Sequence, residues 1–324
     1  MMKVSILIPV YGVEKYIGQC AAALFGQTYD DLEYIFVDDC TPDDSIAVVK
    51  RTLQDFPHRR SQTHIIRHDC NRGLGAARKT AFEAATGDFV MNADSDDYMT
   101  TDAVARLVER QQQTGADVVT GAFTYHYDDG RETVFHYKNY SCQLTLKLML
   151  IQNTLLPHIW GRLIRRTVYT DNAISSEEGI NMSEDLALTP RLIHAASSIA
   201  YVDVPIYYYR INSGASTFSN MLVPRHIESY LKACETLHLY FKKKDPDGTY
   251  RFAFETGMLH TTFLAMKAGY DRARIQQFFT YRPQGLLFRM IHLLFAHKPI
   301  LPLLRLSFLG VKWFYKKFLA VKKQ

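Results

Sequence analysis

The stretch MNADSDDYM, Met91 to Met99, places Asp94, Ser95, Asp96 and Asp97 directly after a short apolar run. Carboxylates this close repel one another unless something offsets their charge. Such acids can cap a helix, and TTDAVARLVERQQQ follows, although Thr100 or Thr101 already suits that N-cap. They can lie in a solvated loop, or they can bind a cation. An EF-hand loop counted from Asp94 needs Gly at position six and Glu at position twelve, where Met99 and Ala105 stand. What fits the acids best is a Mg²⁺ or Mn²⁺ site in which one or two carboxylates are joined by the phosphate oxygens of a substrate. A cation held there would steady the charge developing on a nucleotide diphosphate leaving group.

Arg78 is a second chemical candidate, suited to pair bidentately with phosphate oxygens or to form a surface ion pair. It ends GLGAAR (73–78), which has Arg where a dinucleotide-binding GxGxxG has its third Gly. That motif belongs after a first strand, and here it follows the third, so it carries little weight.

The elements that must position these residues are legible in the first hundred positions. KVSILIP (3–9), EYIFVD (33–38), THIIRH (63–68) and DFVMNA (88–93) read as buried strands. Between them, Val13, Ile17, Cys20 and Leu24 recur at helical spacing. Ile46, Val49, Leu53 and Phe56 do the same behind a cap at Asp43 or Asp44. An Ala-rich helix spans about Gly75 to Thr86 and stops at Gly87. This alternation predicts right-handed crossovers and a mostly parallel sheet. Ligands bind beyond the carboxyl ends of such strands. Those ends are Pro9-Val10-Tyr11, Asp38-Asp39, Asp69 to Asn71, and Asp94 to Asp97, an acidic rim that a divalent cation would neutralise. From residue 116, ADVVTGAFTYHY reads as a long strand turning at Asp128-Asp129-Gly130, and 225–280 reads as helical.

The apolar fraction of 47% over 324 residues supports a real core. Five scattered cysteines without a CxxC pair suggest a reducing compartment and no structural zinc. The short early apolar run VSILIPV lacks a basic n-region, so a secretory signal is not expected. The net charge of +5 conceals an asymmetry, because no acid follows Asp271 while eleven Lys and Arg do. The preceding part is therefore acidic, which argues against a nucleic-acid binder.

Taken in order, VSILIPVYGVEKYI, FVDDCTPDDS, NRGLGAARKTAFEAATGDFVMNADSDDYM and MSEDLAL resemble the inverting family 2 glycosyltransferases. The resemblance is strong over about 3–100 and extends to about 217. It implies the GT-A fold, an α/β Rossmann-like sheet with helices on both faces. The expected division is a nucleotide-sugar half at 1–115, an acceptor half at 116–220, a helical extension at 221–281 and a basic amphipathic tail at 282–324.

The resemblance also implies roles. Pro9 and Tyr11 would border the base, and Asp39 would accept from a uracil-type ring nitrogen. Asn71, Arg78 and Ser95 would help hold the nucleotide. Asp94 would lie by the ribose or the metal, Asp96 would bind the metal, and Asp97 is undecided. Asp185 would be the general base with Glu184 beside it, and a neighbouring carboxylate raises a carboxyl pKa as that task requires. Without the upstream motifs, Glu184 and Asp185 read simply as acids in a helix's first turn.

Several positions depart from the family pattern. Cys40-Thr41 stands for Gly-Ser, Lys79 and Ala81 stand for Asn and Gly, and Pro190 interrupts the helix expected after Asp185. YYYRINSGAS (207–216) resembles a late family motif whose polar residues close over the diphosphate; Asn212 stands where His is common, Arg210 and Ser216 are candidates for that closure, and the Tyr run also reads as core. Trp160 reads as packing or as a surface for an acceptor sugar, and Arg162 keeps a charge where relatives have Lys.

In the tail no apolar stretch reaches the length of a membrane span. Val311, Phe314, Tyr315, Phe318 and Leu319 share a helical face with Lys312, Lys316 and Lys317 off it. That pattern suits a helix lying on an anionic membrane. The expected enzyme is thus cytoplasmic and peripheral on the inner face of the membrane, taking a nucleotide-diphosphate sugar and a saccharide or glycolipid acceptor. A nucleotidyltransferase and a non-catalytic sugar-binding module are the rivals.

Overall fold

The computed structural model describes residues 2–152, 155–211, 223–285, 288–289 and 309–310. Contacts divide the chain into two units, Met1–Cys142 with His158–Ser216, and Gln143–Pro157 with Thr217–Gln324. Residues 143–157, expected in the acceptor half, thus group with the C-terminal helices.

The first unit begins as the apolar periodicity predicts. Strands β1 (Val4–Val10), β2 (Leu32–Asp38), β3 (Thr63–Arg67) and β4 (Phe89–Asn92) alternate with helices α1 (Glu14–Phe25), α2 (Ser45–Thr52) and α3 (Leu74–Ala84). There follow β5 (Tyr98–Met99), α4 (Ala103–Thr114), β6 (Val118–Tyr127) and β7 (Glu132–Phe135). Helix α5 (Cys142–Leu150) leads into the other unit. Strand β8 (Arg162–Arg165), helices α6 (Arg166–Thr170) and α7 (Glu184–Ala195), and strand β9 (Ile199–Ile211) complete the first unit.

The strands form one sheet in the order β3-β2-β1-β4-β8-β6-β9-β5, with β7 on β6. Pairs β1–β2, β2–β3, β1–β4 and β6–β9 are parallel. Strand β8 runs antiparallel between β4 and β6, which brings β6 and β9 back to the direction of the first four strands. Every residue of β1 and β2 is buried, so both faces of the sheet centre are covered. Val4, Ile6, Ile8 and Val10 share a core with Ile17, Leu24, Phe25, Val104 and Leu107, while α3 packs along β1 and β2.

Of the expected helix caps, one is met and one differs. Asp43, not Asp44, satisfies the start of α2: it accepts from the Ser45 amide at 3.2 Å and hydroxyl at 2.6 Å, and from the Glu14 amide at 2.9 Å. The N-cap of α4 is Asp102, which makes no side-chain cap bond there and instead receives the Thr100 hydroxyl at 2.7 Å. Helix α7 runs on through Pro190. An interior proline costs a helix about 3 kcal/mol, and burial of Leu186, Ala187, Leu188, Leu192 and Ile193 around it offsets that cost.

The second unit contains α8 (Pro224–Lys244), α9 (Arg251–Lys267) and α10 (Arg272–Phe278), as the helical reading of 225–280 anticipates. Asn212, Ser216 and all but four residues of the 286–324 tail lie outside the described residues, and with them the amphipathic face from Val311 to Leu319. No helix among the described residues is long and apolar enough to cross a membrane.

Candidate active site

The carboxyl ends of β1 to β4 meet along one rim. Pro9 is buried in β1, whose pairing with β4 stops at Leu7, so its missing N–H takes nothing from that ladder. Tyr11, two residues on, is 50% exposed. Asp39, buried at the end of β2, accepts from the Gly73 amide at 2.7 Å, from the Arg72 amide at 2.9 Å, and from His68 Nδ1 at 2.7 Å. Its Oδ2 oxygen takes one of those three bonds and retains a lone pair. His68 is fixed in turn by Thr80 Oγ1 at 2.9 Å. The carboxylate therefore shapes the 71–73 loop, on which Asn71 stands exposed.

The expected phosphate ligand Arg78 is placed differently from a surface residue. It is 1% exposed on α3, and its guanidinium donates to Asp94 Oδ1 at 2.7 Å, Glu184 Oε1 at 3.2 Å and Asn92 Oδ1 at 3.4 Å. Its Nη2 is taken by two carboxylates and its Nη1 by an amide oxygen, while Nε is enclosed without a partner. Burial alone would lower its affinity for the proton, but Asp94, Glu184 and Asp185 more than offset this and keep it charged. Arg78 thus links the end of β4 to the first turn of α7, itself reaching a carboxylate 106 residues away in sequence.

Two glycines make that link possible. Gly73 precedes α3 with φ +88°, a left-handed conformation that glycine favours. A Cβ on Gly75 would stand 2.1 Å from the Glu177 carbonyl oxygen, so the 177–180 segment can cross α3 only over a glycine. GLGAAR is therefore a packing motif for the loop that leads into α7.

The acids of the cluster divide by environment. Asp94 is half-buried, bonded through Oδ1 to Arg78, and its amide donates to the Tyr207 hydroxyl at 3.0 Å. Ser95 is buried. Asp96 is pushed up to about 6 by burial and by Asp94. Asp97 is fully buried; its Oδ1 accepts from the Arg210 amide at 2.8 Å while Oδ2 is enclosed without a partner. Burial, then Asp96 and Asp94, lift it well above the usual carboxylate range. Asp97 therefore ties the loop to β9. Arg210 faces the same cluster, its guanidinium 4.9 Å from the Tyr98 ring and 5.4 Å from that of Tyr16.

A hard divalent cation fits this donor set. Asp94 and Asp96 repel each other's charge, and an enclosed Asp97 oxygen is unsatisfied beside them. No ready-made group of three or more ligating side chains exists among the described residues, so two carboxylates would be joined by substrate oxygens.

Ser183 turns the chain into α7 with φ +63°, delivering Glu184 and Asp185 to the helix start. Burial lifts Glu184 above the usual carboxylate range despite Arg78. Burial and then Glu184 push Asp185 well above it, against a hydrogen bond from the Ile159 amide. Asp185 Oδ1 is enclosed and has no partner. A carboxylate so placed is suited to take a proton from an arriving hydroxyl.

Trp160 is 4% exposed and stacks on Tyr207 at 4.5 Å and Tyr209 at 5.2 Å, so it is packing and not an open sugar platform. Arg162 is buried, donating to the His158 carbonyl, Thr120 and Tyr137. Sequence reasoning missed His68, although the parallel register Asp38↔Arg67 sets position 68 beside Asp39.

Residues 5–172, just over half of the chain, match the family model described as Glycosyl transferase family 2. EpsJ of Bacillus subtilis, an uncharacterized glycosyltransferase, is 30% identical over 220 residues, which cover 66% of this chain and 62% of EpsJ. The poly(ribitol-phosphate) β-N-acetylglucosaminyltransferase TarS of Staphylococcus aureus is 29% identical over 218 residues, 64% of this chain and 35% of that protein. The chain thus spans less than two thirds of either relative. Among solved structures, S. aureus TarS 1–349 in complex with UDP superposes with a TM-score of 0.64 at 17% identity, covering 98% of this chain and 92% of that one. The mannosyltransferase PcManGT of Pyrobaculum calidifontis, in complex with GDP-Man and Mn²⁺, gives 0.54 at 15% identity, covering 96% and 85%. At these identities the structures speak for the fold, which is of the GT-A type. With the family model matched from β1 to α6, the chain belongs to glycosyl transferase family 2.

Proposed function

We propose that this chain is a metal-dependent inverting glycosyltransferase. It moves a sugar from a nucleoside diphosphate donor, UDP-linked, to a hydroxyl of a carbohydrate or lipid-linked saccharide in surface polysaccharide synthesis. The observation that carries the reading is the Arg78 bridge, which holds Asp94 at a strand end and Glu184, neighbour of Asp185, in one site.

In this reading Tyr11 and Pro9 border the base, Asn71 lies by the nucleotide, and the remaining lone pair of Asp39 accepts from the base's ring N–H. Asp96 and Asp94 would hold Mg²⁺ or Mn²⁺, which would supply positive charge to stabilise a departing diphosphate. Asp185 accepts the acceptor's hydroxyl proton as the new bond to the anomeric carbon forms and the bond to the diphosphate oxygen breaks. Arg78 touches no substrate; it positions the acids on either side. Arg210, beside Asp96, is the cation available to the leaving group. The tail holds the enzyme on the inner face of an anionic membrane, where lipid-linked acceptors reside.

A panel of nucleotide sugars, assayed for nucleotide diphosphate release with and without Mn²⁺, tests the reading. UDP-sugars with Mn²⁺ are expected to give release, and Asp96→Ala to lower it at least about 100-fold. Full release without a divalent cation would sink the metal assignment, and release from no donor would sink the activity.

A further inference from the structure

The β6–β9 face carries an aromatic array of which the donor site uses only Tyr207, through the Asp94 amide. Register pairs Phe123 with Tyr207 and Tyr125 with Tyr209. The irregular stretch of β9 opposite Gly121 to Phe123, which contains Pro205, sets that register, and bulges re-aim side chains near sites. Tyr207 is buried, but Tyr209 and Tyr125 remain half-exposed. Tyr209 lies flat on Trp160, 5.2 Å away at 14°, and Tyr125 meets it edge-on at 6.1 Å.

Two independent connections place Tyr209 between donor acids and base. The next residue, Arg210, gives its amide to Asp97 at 2.8 Å. On the other side, Trp160 follows Ile159, whose amide bonds the Asp185 carboxylate. The Tyr209 hydroxyl has no partner among the described residues and is not among the enclosed polar atoms, so it reaches solvent. Burial, then Asp97, Asp94, Asp96 and Asp185, hold that phenol protonated. It is an uncharged donor set among four carboxylates.

We propose that Tyr209, backed by Trp160 and flanked by Tyr125, is the wall on which a neutral pyranose ring of the acceptor docks beside Asp185. This rests on the glycosyltransferase reading and names its acceptor class. An aromatic face covers the apolar C–H side of a sugar ring, while the hydroxyl bonds a ring substituent. A polyol-phosphate chain fits poorly. The carboxylates would repel it, the β8 arginines are held within the fold, and Arg210 serves the donor's diphosphate in the reading above. Arg162 holds the His158 carbonyl at 2.7 Å and Thr120 at 2.6 Å, and Arg165 holds Asp117 at 2.8 Å.

Saturation-transfer NMR on the full chain tests this, with methyl β-D-glucopyranoside, methyl β-D-galactopyranoside, methyl N-acetyl-β-D-glucosaminide and ribitol 5-phosphate as probes, and UDP measured separately. At least one pyranoside is expected to bind saturably, and ribitol 5-phosphate is not. Tyr209→Ala should weaken pyranoside binding more than about tenfold. Tyr209→Phe, which keeps the stack on Trp160, should weaken it about fivefold, the size of one neutral hydrogen bond. UDP affinity should be unchanged in both. Absence of pyranoside binding, equal affinity in both variants, or Tyr209-dependent binding of ribitol 5-phosphate overturns the proposal. Failure of UDP to bind the native protein counts against the donor assignment instead, and the pyranoside titrations still decide the wall.

Discussion

Arg78 bears more of the site than any other single side chain. Its removal leaves Asp94 and Glu184 facing each other without a cation. Breaking a buried pair in this way costs about 3–5 kcal/mol, so Arg78→Met should lose about that much in urea unfolding. Arg78→Lys should recover only part, because an ammonium cannot span Asp94, Glu184 and Asn92 as the guanidinium does. A loss below about 1 kcal/mol in Arg78→Met would contradict the bridge. Asp96 gives a second expectation. With its proton held up to about 6, protons compete with a cation there, so Mn²⁺ affinity should be flat above about pH 7 and fall as pH drops through about 6. Calorimetric titration at several pH values checks this; an unchanged affinity at pH 5 would remove Asp96 as a ligand. The placement of Asp39, Asp94 and Asp96 just beyond strand ends was legible because strand ends are found from apolar runs alone. The role of Arg78 was not, since burial against a helix start 106 residues away is a tertiary fact. Tyr207 and Tyr209 look alike in sequence and share a face of β9; only their places along the strand separate the buried residue from the half-exposed one.

At the scale of elements, the crossing of the 177–180 segment over α3 sets where α7 begins, and so whether donor and base carboxylates meet. Gly75 is the contact point, and a methyl group there would press on the Glu177 carbonyl. Gly75→Ala should cost about 1–3 kcal/mol, as overpacking does, and should lower turnover more than nucleotide affinity, because α7 carries the base. Wild-type stability by thermal unfolding would contradict the close approach. The alternation of β1 to β4 with helices was legible because each element has its own apolar period. Antiparallel β8, threaded between β4 and β6, was not, as four residues carry no period of their own. Pro190 misled in the other direction, since local propensity yields to the burial of α7.

For the whole molecule, the two units differ in what the sequence disclosed. The sheet unit contains the family motifs; the helical unit reads only as helices. Glu255 in α9 accepts from the amides of Gln284 at 2.7 Å and Gly285 at 3.1 Å, so the second unit needs the chain at least that far. A truncation after Arg289 preserves those bonds and removes most of the basic tail. It should abolish flotation with anionic vesicles while leaving nucleotide affinity intact; continued flotation would show that the tail is not the anchor.

The most direct test of the central claim separates binding from transfer in Asp185→Asn. The substitution keeps the size of the side chain and removes its capacity to take a proton. The account predicts UDP binding within about threefold of the native protein, with sugar transfer from the active donor reduced about 100-fold or more. Transfer at native rates with Asn at position 185 would contradict it.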